Sequence, residues 1–238
     1  MSSRWSMTVA RAAVAVALCA PAAAAGEMTG HVRFAGTPPA RKPVAFGGEQ
    51  QCALMHKDAP PLMEDVVVGP DGGLRDVLVY LTGTAPGGPY TPPTEPLVYE
   101  QQGCVFKPHV GAVMVGQPVE VRNDDAVLHN VRAQSKLGQS FNIAQPVQGM
   151  KTRKMMKAQE IGVPIKCDVH FWMTGYLHVL AHPFFAMTGE DGAFAIAHLP
   201  PGTYTFEAWH PVLGTRTVTA TVTDGENAPL TFTFAPAP

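Results

Sequence analysis

The sequence predicts an all-β protein of sandwich architecture, and three observations carry that prediction. Glycine and proline each occur 23 times in 238 residues, a density of turn-forming and helix-breaking residues that a helical chain would not tolerate. Short runs in which apolar and polar side chains alternate recur along the chain, the period of a strand with one buried face. The three-and-four spacing of an amphipathic helix is almost absent, and only residues 154–160 could sustain one.

The elements follow in order. Residues 29–34 open the series, with His31-Val32-Arg33-Phe34 alternating toward a core. Runs at 65–68 and 74–81 flank the turn Pro70-Asp71-Gly72-Gly73. Residues 85–96 are rich in Pro, Gly and Thr and read as a linker. Runs at 112–115, 118–122, 130–133, 162–166 and 175–181 form a central group, and 193–197, 202–209, 216–222 and 230–234 close the chain after the turn Asp191-Gly192.

Residues 1–25 read as a secretory signal peptide. Arg4 and Arg11 supply the positive start, residues 12–18 the apolar stretch, and Ala23-Ala24-Ala25 a small-residue cleavage site. The apolar stretch is too short to span a bilayer, and Leu18 occupies the place where lipidation of Cys19 needs a small residue. The expected product is an exported protein with no membrane anchor, periplasmic in a Gram-negative host. Without Arg4 and Arg11 it carries 15 basic against 19 acidic residues, which excludes the basic face that nucleic-acid binding requires. The run Lys151-Thr152-Arg153-Lys154 reads as a solvated loop.

Two segments carry chemistry: Asn123-Asp124-Asp125-Ala126-Val127-Leu128-His129-Asn130-Val131 and Cys167-Asp168-Val169-His170-Phe171-Trp172-Met173. Cys167, His170 and Met173 stand at i, i+3 and i+6, so a tight loop between strands can turn all three toward one point. The run Pro118-Val119-Glu120-Val121-Arg122 leads into a polar turn able to bring His129 to them. A thiolate, two imidazoles and a weak axial thioether hold copper between the geometries its two oxidation states prefer. Zinc also accepts Cys and His, but Met serves it poorly.

Cys-x-x-His-x-x-Met after a distant His-Asn-Val resembles the cupredoxins, with the short Cys-to-Met loop most similar to the amicyanin and plastocyanin branch. The resemblance implies a Greek-key β-sandwich over residues 97–186, one type 1 copper ion on His129, Cys167, His170 and Met173, and transient redox partners. It also implies that Asn130 supports the thiolate by hydrogen bonding and that Asn123 ties the two ligand loops together. Many relatives have Pro between Cys and the second His, where this chain has Asp168-Val169; an acidic residue beside the thiolate favours the oxidised metal.

The stretch Asp191-Gly192-Ala193-Phe194-Ala195-Ile196 and the later Leu199-Pro200-Pro201-Gly202-Thr203-Tyr204-Thr205-Phe206 resemble the transthyretin-like sandwich of carboxypeptidase regulatory-like domains. Gly30-His31-Val32-Arg33-Phe34 and Val77-Leu78-Val79-Tyr80-Leu81 match its earlier strands. That resemblance implies a discontinuous second sandwich over 26–96 and 187–238. Composite chains of this kind resemble bacterial methylamine utilisation proteins, and amicyanin takes electrons from methylamine dehydrogenase.

In an oxidising compartment two of Cys52, Cys104 and Cys167 should pair. With Cys167 on copper the pair is Cys52–Cys104; the alternative is two free buried thiols. Cys52-Ala53-Leu54-Met55-His56 is also a potential copper-binding patch, which a disulfide would weaken. His178 and His182 alternate onto one strand face, while His109 and His210 stand beside prolines, so a further histidine site is conceivable, although structural histidines are commoner. The function expected is single-electron transfer, with the edge of His170 near the surface among Phe171, Leu128 and Trp172, or with Trp172 equally well placed in the core, where a large aromatic between two ligands keeps water out. The alternative is copper binding, tolerance or delivery without electron transfer. Four protein ligands leave little room for catalysis, so no enzyme is expected.

Overall fold

The computed structural model describes residues 25–236, so the expected signal segment, apart from Ala25, lies outside the described residues. In chain order the elements are β1 (Gly26–Phe34), α1 (Gln50–Met55), β2 (Leu78–Leu81), β3 (Leu97–Gln101), β4 (Phe106–Lys107), β5 (Val110–Met114), β6 (Pro118–Asn123), β7 (His129–Ala133), β8 (Phe141–Gln145), β9 (Lys151–Met155), β10 (Glu160–Lys166), β11 (Thr174–Leu180), β12 (Phe185–Met187), β13 (Ala193–Leu199), β14 (Gly202–His210), β15 (Gly214–Val222) and β16 (Leu230–Phe234). The all-β prediction holds.

Two pairs of sheets partition the chain. The three-stranded sheet β13-β1-β16 and the four-stranded sheet β12-β2-β14-β15 share a core of Val32, Phe34, Val79, Leu81, Phe194, Ile196, Phe206, Phe232 and Phe234. Alternation produces this arrangement: in Leu230-Thr231-Phe232-Thr233-Phe234 every second residue is buried and the threonines face outward. The five-stranded sheet β5-β11-β10-β7-β8 and the four-stranded sheet β4-β3-β6-β9 enclose a second core around Tyr99, Phe106, Val113, Val121, Val131, Val163, Ile165 and Leu177. A small apolar seam of Leu78, Tyr80 and Leu180, flanked by Phe185 and Trp209, joins the two.

Four local expectations change. Residues 154–160 form no helix; they finish β9 and enter β10, because Lys151–Met155 pairs along β6 from Pro118↔Met155 to Arg122↔Lys151. The run at 65–68 makes a single bridge, Val68↔Leu74, and no strand. Asp76, with φ 62° and its backbone amide bonded to Thr188 O, delays the next strand until Leu78. The span 26–96, expected in one sandwich, divides: Val44, Phe46 and Cys52 pack in the core of the other. That flap is closed by the bridge Pro43↔Leu62 and carries α1.

The site is positioned by register. β7 and β10 are antiparallel neighbours through Lys166↔Arg132, and β10 and β11 through Lys166↔Thr174. The first residue of β7 and the loop leaving β10 therefore meet at one end of the five-stranded sheet.

Candidate metal centre

Asn123 ends β6 and organises the turn that delivers His129. Its Nδ2 donates to Val127 O at 2.9 Å and to Gln145 O at 2.8 Å, and its Oδ1 accepts from the Asp125 amide at 3.0 Å. These bonds tie the turn to β8. The expected tie to the second ligand loop is not among them.

The loop 167–173 closes on its own backbone: the Cys167 amide donates to Met173 O at 3.1 Å and the Met173 amide to His170 O at 2.9 Å. This folds Cys167 and His170 onto the same side, with the His170 amide 3.4 Å from Cys167 Sγ. His170 Nδ1 stands 3.8 Å from Cys167 Sγ and 2.9 Å from His129 Nδ1. Donor atoms of His129, Cys167 and His170 all lie within 4.8 Å of one another, and all three residues are buried. Met173 ends the loop, buried in the same core as Cys167 and Trp172.

Asn130 braces the thiol from β7. Its Oδ1 accepts from the Asp168 amide at 2.6 Å and lies 3.4 Å from Cys167 Sγ, while its Nδ2 donates to Asn142 and Asp168. Asp168 is held further by Arg132 at 2.9 Å.

One partner escaped the sequence reading. Asp125 Oδ2 lies 2.9 Å from His129 Nε2, and the carboxylate also accepts the amides of Gly103 at 2.7 Å and Cys104 at 2.8 Å. A carboxylate on one ring nitrogen fixes the tautomer and turns the other nitrogen's lone pair toward the ion. The i, i+4 spacing of Asp125 and His129 was the available clue. Nothing in the sequence signalled that the 103–104 turn would complete the arrangement.

Electrostatics fit a cation. Burial pushes the Cys167 thiol up, but hydrogen bonds from His129, from His170 and from the backbone amides of Asn130 and His170 outweigh it and bring the pKa down to about 6. Burial lowers the His129 pKa, but Asp125 and Cys167 hold it above the ordinary value. At Asp125, burial raises the pKa and is overcome by His129 and the two backbone amides, leaving it lowered. A soft anionic sulfur and two imidazole nitrogens aimed at one point suit copper or zinc.

One expectation about the surroundings changes. His170 was expected at the surface, yet it is 2 % exposed. The flap covers it: Cys52 and Cys104 form a disulfide, and their sulfurs and a His170 ring nitrogen lie within 4.8 Å of one another. Trp172 is buried as well, its Nε1 donating to Cys104 O at 2.9 Å and its ring edge-on to Phe46. The histidines at 109, 178, 182 and 210 do not form a metal cluster among the described residues. His178 Nδ1 accepts from the Gly162 amide, and His210 Nδ1 from the amides of Val212 and Leu213.

No protein-family model matches the chain, and no curated protein matches it. Part of it is similar to solved cupredoxin structures. The copper-containing nitrite reductase of Thermus scotoductus is 21 % identical with a TM-score of 0.32, over 41 % of this chain and 25 % of that one. A purple cupredoxin of Nitrosopumilus maritimus is 20 % identical with a TM-score of 0.31, over 35 % of this chain and 98 % of that one. An oxidised amicyanin carrying a proline-to-alanine substitution is 21 % identical with a TM-score of 0.31, over 35 % of this chain and 81 % of that one. The chain thus spans a quarter of the reductase's length.

Proposed function

We propose that this chain is an exported type 1 copper protein that carries single electrons between redox partners and catalyses no reaction of its own. The observation that carries the reading is the convergence of His129 Nδ1, His170 Nδ1 and Cys167 Sγ in a buried pocket. Met173, at the end of the same loop, would supply the weak axial donor. Copper bound there supplies a one-electron couple.

The protein's own part is to keep that couple fast. Asp125 holds His129 in the liganding tautomer, and Asn130 braces the Cys167 sulfur and the Asp168 amide. Trp172 and the disulfide exclude water, so little reorganises when the charge changes. Burial of the ligand residues supports retention of the ion over rapid release, which favours an electron carrier above a copper-delivery protein. A partner would dock on the apolar rim of Leu128, Val169 and Phe171, all exposed, Phe171 to 76 %. The disulfide supports an oxidising compartment such as the periplasm.

Reconstitution with Cu(II) tests the reading. We expect intense visible absorption from thiolate-to-copper charge transfer, lost in Cys167→Ser. A colourless protein that takes zinc in preference would refute it.

A further inference from the structure

The Cys52–Cys104 disulfide is placed unlike a surface staple. A cross-link across 52 residues stabilises a fold chiefly by constraining the unfolded chain, so stability alone does not require it to touch a metal ligand. Here both sulfurs lie within 4.8 Å of a His170 ring nitrogen, and Cys104 Sγ is equally close to donor atoms of Asp125 and His129. We infer that Cys52, Cys104 and His170 constitute a second, redox-gated site for a soft monovalent cation, Cu(I), created when a dithiol reductant opens the disulfide.

The two cysteines are held in different ways, and the difference suits a switch. Cys104 has φ 54°, its amide is bound by Asp125, and its carbonyl accepts from Trp172. Its sulfur is therefore fixed against the histidines whether or not it is bonded to Cys52. Cys52 rides on a six-residue helix with no side-chain cap, whose neighbouring Leu54 and Met55 face solvent. Such an element opens locally at low cost, which gives a reductant access and lets the second sulfur adjust around an ion. His56 anchors the helix end without binding metal, its Nε2 2.7 Å from Gly103 O.

The chemistry balances. Thiol–disulfide exchange transfers two electrons and two protons from the dithiol, which leaves as its own disulfide, and yields the Cys52 and Cys104 thiols. Binding of Cu(I) then releases both thiol protons to solvent. Two thiolates with one imidazole favour Cu(I) strongly over Cu(II), so opening the disulfide would draw an ion already in the Cu(I) state from the electron-transfer geometry into a holding geometry that shares His170. The inference rests on the proposed metal centre only for that shared ligand.

The test uses the full exported chain carrying Cys167→Ser, which removes the thiolate of the first site. Its Cu(I) affinity is measured anaerobically by competition with a bicinchoninate chelator, before and after reduction with a phosphine. Reduction should tighten binding by roughly 100-fold, with one ion per chain, and the gain should vanish on adding Cys52→Ser or His170→Ala. No gain on reduction overturns the inference. So does a gain that survives His170→Ala, or one accompanied by loss of the β-sheet circular dichroism signal, since either means thiols chelating without a built site. A gain here alongside colourless Cu(II)-treated wild-type protein would sink the electron-carrier reading and leave this one standing; the reverse pattern would do the opposite.

Discussion

At the scale of single residues the centre depends on how each ligand is held. Asp125 both fixes the tautomer of His129 and binds the 103–104 turn. Asp125→Asn should therefore lower copper affinity by about 10–100-fold while the chain still folds, read by chelator competition and circular dichroism together. Met173→Leu should keep the colour and raise the reduction potential, because removing the axial donor destabilises Cu(II); voltammetry decides. The approach of His170 to Cys167 was legible because the two share one loop at fixed spacing. Asp125 was not, since two of its three partners come from a turn distant in sequence, and the burial of His170 was not, since Cys52, from before β2, closes over it together with Cys104.

At the scale of elements, strands with one clean buried face were legible and strands at sheet edges were not. β16 alternates strictly, whereas β9 is built from Lys151-Thr152-Arg153-Lys154-Met155 and stands at the edge of its sheet. Edge strands carry charge on purpose, since it discourages pairing with another chain, and that same charge makes them read as loop. α1 is too short for any period to declare it. β10 offers a sharper test. Gly162 has φ 72°, and a Cβ there would meet Trp209 Cζ2 at 2.8 Å, so Gly162→Ala should cost about 1–3 kcal/mol through backbone strain, with more from the clash. A denaturant melt would show it, and an unchanged midpoint would mean the two sandwiches do not press together at this point.

At the scale of the whole molecule, the seam between the sandwiches is sensitive to acid. Burial pushes His178 down to about 3 and His210 down to about 4, the latter helped by nearby His109. Both fold neutral, whereas in the unfolded chain they take up protons near pH 6.5. The unfolded state therefore binds more protons below that point, and each histidine should lose about 1.4 kcal/mol of stability per pH unit from about 6.5 down toward its folded value. His178→Gln should flatten the slope of melting temperature against pH; an unaltered slope would exclude this residue as its source. The presence of two cores was legible in the two groups of strand runs, but the flap that crosses from one to the other was not, because Val44, Phe46 and Cys52 lie in a stretch with no period.

The arrangement of β1 also sets an order of events. Its neighbour on one side is β16, paired in parallel from Gly30↔Leu230 to Phe34↔Phe234, so that sheet stays unfinished until residues 230–234 have emerged. The strands β3–β11 need nothing downstream of Leu180 for their own ladders. During synthesis the inner unit can close first, while β1 waits for its mate with apolar side chains uncovered.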